Sequence, residues 1–317
     1  MGSVLRVDLS KNKTTVRELS NVLARNFIGG RGLNSKVLYD EVGPDVDPLS
    51  PDNLLIFGVG PLNGTLSPCS SKWTVTAKSP LTGIIGDGCS GSRLGAEMKY
   101  AGFDQIIIKG KAKHPVYLWI DDGNVEIRDA SHIWGKTTVE TEKTIKQELG
   151  DQEVQAAYIG PAGEKLVKIA CVMSNLYRTA ARTGIGAVMG SKNLKAVAIR
   201  GGKDVDVANP QAFEEAVLDA KRKIREDWMY DVYATKGTPA LVDWLNAQGG
   251  LSTKNYEFGT FDKAGDINAD TFLKKHEHHT IACFGCPIHC THYFMEEYGQ
   301  GKLEFAHLFA LGALCLD

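Results

Sequence analysis

The stretch QIIIKGKAKHPVYLWIDDGNVEIRD, Gln105–Asp129, holds three short apolar runs in succession with only turn residues between them. Each run is too short for a helix and rich in β-branched and aromatic residues, so each is expected to be a strand. No helical segment separates them, as a βαβ unit would require. Working outward, VLRVDL, NLLIFGVG, KWTVTA, VQAAYIG, LVKIACVM and KAVAIRG read the same way. Helical patterns interrupt them irregularly: ARNFIGGRGLNSKVLYDEV has apolar residues at Leu33, Val37 and Leu38, and TTVETEKTIKQELG has a threonine start and a Gly150 stop. The expectation is an α+β protein whose first domain, residues 1–205, is built on mixed, mainly antiparallel sheets.

After residue 205 the texture changes. AFEEAVLDAKRKIREDW is a charged amphipathic helix opened by Asn209 and Pro210, and TPALVDWLNAQGG reads as a second helix capped by Thr238. Residues 206–317 are therefore expected to form an all-α domain, and the apolar LFALGALCLD at its end reads as a helix cut in mid-pattern, a truncated domain.

With 317 residues, 43% hydrophobic and 23% charged, the composition is that of a globular protein with room for two cores. A net charge of −2 without a basic block speaks against nucleic acid as a partner. No apolar run has the length of a membrane span, and MGSVLRVDLSKNKTT lacks a signal peptide's apolar centre, so a cytoplasmic protein is expected.

The densest chemistry lies in CFGCPIHC, where Cys283, Cys286 and Cys290 place three of the seven cysteines on one short segment. Thiolates so spaced suit an iron–sulfur cluster first, zinc second, and a redox-inert turn last. The order of spacings, two residues and then three, is the reverse of that in radical enzymes using S-adenosylmethionine. Downstream His292, His307 and Cys315 form no zinc knuckle. A fourth cluster ligand must come from elsewhere, with Cys69, Cys89, Cys171 and Cys315 as the candidates in the chain.

Glycine loops of the first domain offer exposed backbone beside cations, which suits a phosphate-bearing ligand. They are Gly29-Gly30-Arg31-Gly32 at a helix start, the Lys72–Lys78 strand, Gly86-Asp87-Gly88-Cys89-Ser90-Gly91 with Arg93, and a loop carrying Arg178, Arg182, Gly184, Gly186, Gly190 and Lys192. GIGAVMG has three residues between its last two glycines where a dinucleotide fingerprint has two, so that reading is weak.

These motifs, with DPLSPDNLLIF, GPLNGT, KSPLTG, GAEMKYAGFD, VEIRDASHIWGK, IGPAGE and GIGAVMGSKNLKA, follow one another as in the tungsten-containing aldehyde:ferredoxin oxidoreductase family, which the chain resembles over nearly its full length. The resemblance implies a first domain of two antiparallel sheets followed by helical domains. It also implies a bis-pyranopterin holding tungsten (or molybdenum), a [4Fe-4S] cluster, Mg2+, and oxidation of an aldehyde to a carboxylic acid with ferredoxin as acceptor. Residue by residue, Cys283, Cys286 and Cys290 match the clustered cluster ligands. Cys89 and Thr179 match positions lending backbone carbonyls to the magnesium ion between the pterin phosphates. Ser90, Gly91, Arg178 and Arg182 fall in pterin-holding loops, and the glycine loops add Arg31, Gly32 and Gly184. Lys72 stands where the family commonly has an arginine between cluster and pterin, and loses its planar fork.

Two departures stand out. Where family members carry a second glutamate beside the metal, this chain has Glu304-Phe305-Ala306-His307, which leaves His307 as the replacement proton-transfer group. Family members are also longer, and their fourth cluster cysteine lies in the half this chain lacks. The expected companions are thus a homo-oligomer or a missing C-terminal half. Alternative functions are a non-catalytic or split-site cofactor-binding subunit and a related aromatic thioester reductase.

Overall fold

The computed structural model describes residues 2–275, 278–294 and 303–304. Two compact units divide between Ala208 and Asn209. In the first, strands β1 (Ser3–Asp8), β2 (Lys13–Glu18), β3 (Leu55–Val59), β4 (Trp73–Lys78), β5 (Ile85–Ser90) and β6 (Phe103–Lys109) form one sheet, ordered β2-β1-β6-β3-β4-β5. A second sheet, ordered β11-β10-β9-β12-β7-β8, contains β7 (Val116–Asp121), β8 (Asn124–Asp129), β9 (Gln155–Tyr158), β10 (Val172–Ser174), β11 (Arg178–Ala180) and β12 (Leu194–Arg200). Both are antiparallel except for one parallel pair each, β1 with β6 and β12 with β7.

Strand periodicity explains how the sheets pack. In β6, Ile106 and Ile108 enter the central core while Ile107 faces the opposite way; in β12, Val197 and Ile199 point inward and Ala196 and Ala198 outward. The inner faces meet in one core that includes Leu5, Trp73, Val75, Leu118, Ile120 and Val172. Helices α1 (Asn21–Phe27), α2 (Gly30–Glu41), α3 (Leu94–Tyr100), α4 (Thr138–Leu149), α5 (Pro161–Glu164) and α6 (Ile185–Ser191) complete the unit. On the outer faces Leu38 of α2 packs with Ile56 and Ile107, and Ile145 of α4 with Tyr117 and Ala196.

Helix α4 starts with a capping box, Thr137 Oγ1 accepting from Glu140 N while Glu140 accepts from Thr137 N, and stops at Gly150, whose φ is 68°. The ARNFIGGRGLNSKVLYDEV pattern is broken into α1 and α2 at Ile28-Gly29, where Ile28 takes a left-handed φ of 64°.

In the second unit α7 (Pro210–Glu226), capped by Asn209 Oδ1 accepting from Ala212 N, leads to α8 (Tyr230–Lys236), α9 (Val242–Ala247) and α10 (Ala269–Lys275). Thr238 opens a short 3-10 turn and makes no side-chain cap. Beyond α10 the chain departs from the all-α expectation for 206–317. Strands β13 (His278–Ile281), β14 (Thr291–Phe294) and β15 (Leu303–Glu304) form an antiparallel sheet. The physical reason is local: HHTI and THYF are short β-branched and aromatic runs, and Gly285 and His289 between them take left-handed φ values of 67° and 57°. The cysteine motif is thus a hairpin loop. No helix among the described residues is long and apolar enough to cross a membrane.

Candidate cofactor-binding site

The two sheets bring their end strands, β5 and β11, together. Alternation along β5 sorts its residues into two faces. Gly86 and Gly88 lie on one: a Cβ on Gly88 would stand 3.0 Å from Ala181 O and 3.2 Å from Ala180 O, and one on Gly86 would stand 2.8 Å from Thr183 Cβ. Only glycine lets the β10–β11 hairpin sit this close, so Cys89 and Thr179 are carried on adjoining strands. Asp87 and Cys89 lie on the other face, toward α2. There Arg31 Nε donates to Asp87 Oδ2 at 2.7 Å, and the guanidinium's pKa is raised first by Asp87 and more weakly by Cys89.

Asp87 is itself held from within. Its Oδ1 accepts from Thr76 Oγ1 at 3.0 Å; Asn34 Nδ2 donates to Thr76 Oγ1 at 3.2 Å, and Gln105 Nε2 donates to Asn34 Oδ1 at 2.9 Å. Asn34, Thr76 and Gln105 are all buried.

The hairpin is locked from the opposite side. Its turn residues Asn175 and Leu176 have φ values of 52° and 64°, a conformation that needs external support. Support comes from Glu142 of α4, whose Oε2 accepts from Leu176 N at 3.1 Å and from the Tyr158 hydroxyl, and from Gln155 Oε1, which accepts from Asn175 Nδ2 at 2.7 Å. Burial, and then the charge of Glu142, push the Tyr158 hydroxyl well above its ordinary pKa.

Within this framework Ser174 Oγ, Asn175 Oδ1, Thr179 Oγ1 and Thr183 Oγ1 are buried and find no hydrogen-bond partner among the described residues. Buried polar atoms are rarely left so. Ser174, Asn175 and Thr179 belong to the hairpin, with Ser174 and Thr179 on opposite faces of it, and Thr183 follows in the loop before α6, so this segment is a polar seat on more than one side. Arg178 lies with its guanidinium 5.7 Å from the Tyr177 ring, and Arg182 is exposed beside Thr183 and Gly184, all with left-handed φ. The donor chemistry and the cradle fit a ligand rich in phosphate and heteroatom groups.

The other expected residues divide. Ser90 and Gly91 are buried at the end of β5, next to the seat. Gly32 is a packing glycine, since a Cβ there would collide with Phe27 O. Lys72 is exposed. Lys192 is structural: fully buried, it donates to the carbonyls of Asn53 at 2.6 Å and of Pro51 and Gly110 at 3.3 Å, and burial pushes its ammonium down to about 8.

Cys283, Cys286 and Cys290 share the β13–β14 loop, where Cys286 N donates to Cys283 O at 3.0 Å and Tyr230 Oη donates to Pro287 O at 3.1 Å. Among the described residues no three His, Cys, Asp or Glu side chains are gathered closely enough to hold a metal ion. The donor set, three thiols on one loop, fits an iron–sulfur cluster by chemistry. His307 and Cys315 lie outside the described residues.

Sequence reasoning quoted Asp87 without a role and passed over Asn34, Thr76, Thr183 and the Ser174-Asn175 turn. One signal was available. Arg31 and Asn34 are three apart on α2 and so share a helix face.

Residues 4–201 match the family described as aldehyde ferredoxin oxidoreductase, N-terminal domain, and residues 215–317 match aldehyde ferredoxin oxidoreductase, domains 2 and 3. The chain belongs to the aldehyde ferredoxin oxidoreductase family. Among its relatives is the tungsten-containing aldehyde ferredoxin oxidoreductase of Pyrococcus abyssi, 44% identical over 98% of this chain and 52% of that protein. The aliphatic sulfonate oxidoreductase, WOR-like subunit, of Pyrococcus furiosus is 36% identical over 95% of this chain and 50% of that protein. A solved chain from the active site complex BamBC of benzoyl coenzyme A reductase, in complex with 1,5-dienoyl-CoA, superposes with a TM-score of 0.82 at 36% identity, covering 95% of this chain and 48% of that one. The chain spans about half the length of the curated relatives it matches.

Proposed function

We propose that this chain is the cofactor-bearing part of a cytoplasmic oxidoreductase that oxidises aldehydes to carboxylic acids and passes the electrons to ferredoxin. The observation that carries the reading is the polar seat along the β10–β11 hairpin and the loop after it, where buried oxygens at Ser174, Asn175, Thr179 and Thr183 lack partners among the described residues. Arg31, Arg178 and Arg182 would supply positive charge to pterin phosphates, because a guanidinium presents several N–H donors in a fixed plane. Ser90, Gly91 and Gly184 would leave backbone open to the same ligand, and the carbonyls of Cys89 and Thr179 would hold Mg2+. Cys283, Cys286 and Cys290 would give thiolates to a [4Fe-4S] cluster, with the fourth ligand from outside the clustered motif. His307 would move the substrate proton, and Lys72 would offer a positive charge to the pterin.

When bound, the pterin-held tungsten or molybdenum supplies the two-electron chemistry and the cluster releases electrons singly. The chain's own contribution is to orient the pterins through β5 and β11 and to keep water from the buried hairpin oxygens. A second reading, reduction at an aromatic thioester, is favoured by the likeness to the benzoyl coenzyme A reductase chain.

Purification without oxygen, followed by metal, sulfide and pterin analysis and a viologen-dye reduction assay, tests both. Iron, acid-labile sulfide, pterin and tungsten or molybdenum are expected, with dye reduction driven by aldehyde. A colourless protein carrying only zinc overturns the cofactor reading. Dye reduction by a dienoyl thioester and not by aldehydes selects the second reaction.

A further inference from the structure

We propose that Asp87 is a positioning residue, held by the buried Gln105–Asn34–Thr76 chain, that presets Arg31, on the α2 side of β5, as an arm receiving a phosphate group of the cofactor. The proposal rests on the cofactor reading above and names how one of its cations is fixed.

Arg31 stands in the first turn of α2 with its side chain 64% exposed, and an arginine so placed would ordinarily sample many rotamers. An exposed ion pair alone would not stop it. Asp87 differs from an ordinary surface partner because its side chain is only 14% exposed and both oxygens are engaged, Oδ2 by Arg31 Nε and Oδ1 by Thr76 Oγ1 at 3.0 Å. Behind Thr76 the chain is entirely buried. Asn34 Nδ2 reaches Thr76 Oγ1 at 3.2 Å, Thr74 Oγ1 at 3.1 Å and Ile56 O at 3.2 Å, while its Oδ1 is bonded by Gln105.

A connected network of this kind has one arrangement, and its stiffness passes to the last member. The same helix–sheet face is otherwise apolar, with Leu38, Ile56 and Ile107, so packing alone does not call for these amides. Because Arg31 is bound through Nε, its terminal nitrogens keep donors for an oxyanion.

A carboxylate beside an anion seat gives two opposite expectations. If it only repels, removing its charge tightens anion binding. If it positions, removing its charge weakens binding, and does so only while Arg31 is present.

The test compares the parent chain with Asp87→Asn, Thr76→Val, Arg31→Ala and the Arg31→Ala/Asp87→Asn double variant. Thermal melting confirms folding. Pterin is measured per chain after oxidative release, and inorganic pyrophosphate binding to the pterin-free chain is measured by calorimetry. Asp87→Asn should weaken pyrophosphate roughly tenfold, the scale of one charge-assisted hydrogen bond. Thr76→Val should act in the same direction, and Asp87→Asn should have no further effect once Arg31 is gone. Unchanged or tighter binding in Asp87→Asn, or losses that add in the double variant, overturns the positioning role while leaving the cofactor reading intact. A parent chain that holds no pterin and binds no pyrophosphate overturns both.

Discussion

The two units of this chain solve the same problem, holding a chemically active loop, by different means. In the first, four buried clusters pack on both faces of the strands and around α1 and α2, and the loops at β5 and β11 are clamped by the Asn34–Thr76–Asp87 and Glu142–Leu176 hydrogen bonds. Among the described residues the second closes a small cluster of Val242, Leu251 and Ala264 with Leu245, Phe261 and Ile267, and leaves Trp228 81%, Trp244 60% and Tyr256 74% exposed. Its cysteine loop carries a backbone bond from Cys286 N to Cys283 O and a side-chain bond from Tyr230 Oη to Pro287 O. Apolar closure sets how much local order a unit can sustain without help. The first unit holds its polar seat by its own hydrogen bonds, whereas in the cysteine loop the proposed metal binding would itself supply ordering energy.

The largest expected effect tests how tightly the first unit is closed. A Cβ at Gly190 would collide with the backbone oxygen of Gly163, and backbone cannot rotate away as a side chain can. Gly190→Ala should therefore cost about 3 kcal/mol or more, seen as an earlier denaturant midpoint for the first unit. An unchanged midpoint would mean that the α5–α6 contact is loose and that the contrast between the units is overdrawn.

Next comes a pH effect from Lys192. Its ammonium is held at about 8 by burial, below its ordinary 10.5, so between these values the unfolded chain binds more protons than the folded one. Stability from this group should accordingly rise with pH across that window, by roughly 3 kcal/mol in total, and the cost of the buried charge is fully present below it. Lys192→Met should lose this rise. A parent and a variant with equal slopes between those pH values would refute the assignment.

Much of this was legible from local pattern. The alternation in QIIIKG gives the two faces of β6, and the Thr137–Glu140 and Gly150 signals bound α4. What local pattern could not give was polar contact at long range. Asn34 and Gln105 are 71 positions apart, and an amide inside an apolar helix face reads only as an exception until the fold supplies its partner. Lys192 misled for the same reason, because a lysine in a glycine loop suggests an anion while its actual partners are carbonyls from Pro51, Asn53 and Gly110. The backbone of the cysteine loop was not legible. Its flanking strands are too short for periodicity to separate them from helix.

A third prediction separates the units by metal. Cys286→Ser should remove most of the iron and acid-labile sulfide, yet move the unfolding of the first unit by no more than about 0.5 kcal/mol, as for a change outside its core. Iron retained at parental level, or a large shift in the first unit's transition, would break the division of labour drawn above.

The smallest effect is the counterpart of the first. Gly265 lies in the 3-10 turn Ala264–Asp266, its φ is not left-handed, and a Cβ there would meet nothing within 4 Å among the described residues. Alanine can adopt this backbone without strain, and its unfolded chain has fewer conformations to lose, so Gly265→Ala should stabilise the second unit by about 0.4–1 kcal/mol. The bonds that fix the turn survive the change, since Thr271 Oγ1 donates to Gly265 O at 2.6 Å and Ile267 N donates to Ala264 O at 3.2 Å. Amide hydrogen exchange reads the outcome locally: protection should rise at Ile267 and its neighbours and stay constant at β6 and β12. Where Gly190→Ala acts against a filled interior, Gly265→Ala acts in open space, and opposite signs at the two positions follow from that difference alone. Lower protection around Ile267 would mean that the second unit is packed as closely as the first and that its exposed aromatics are a poor measure of its order.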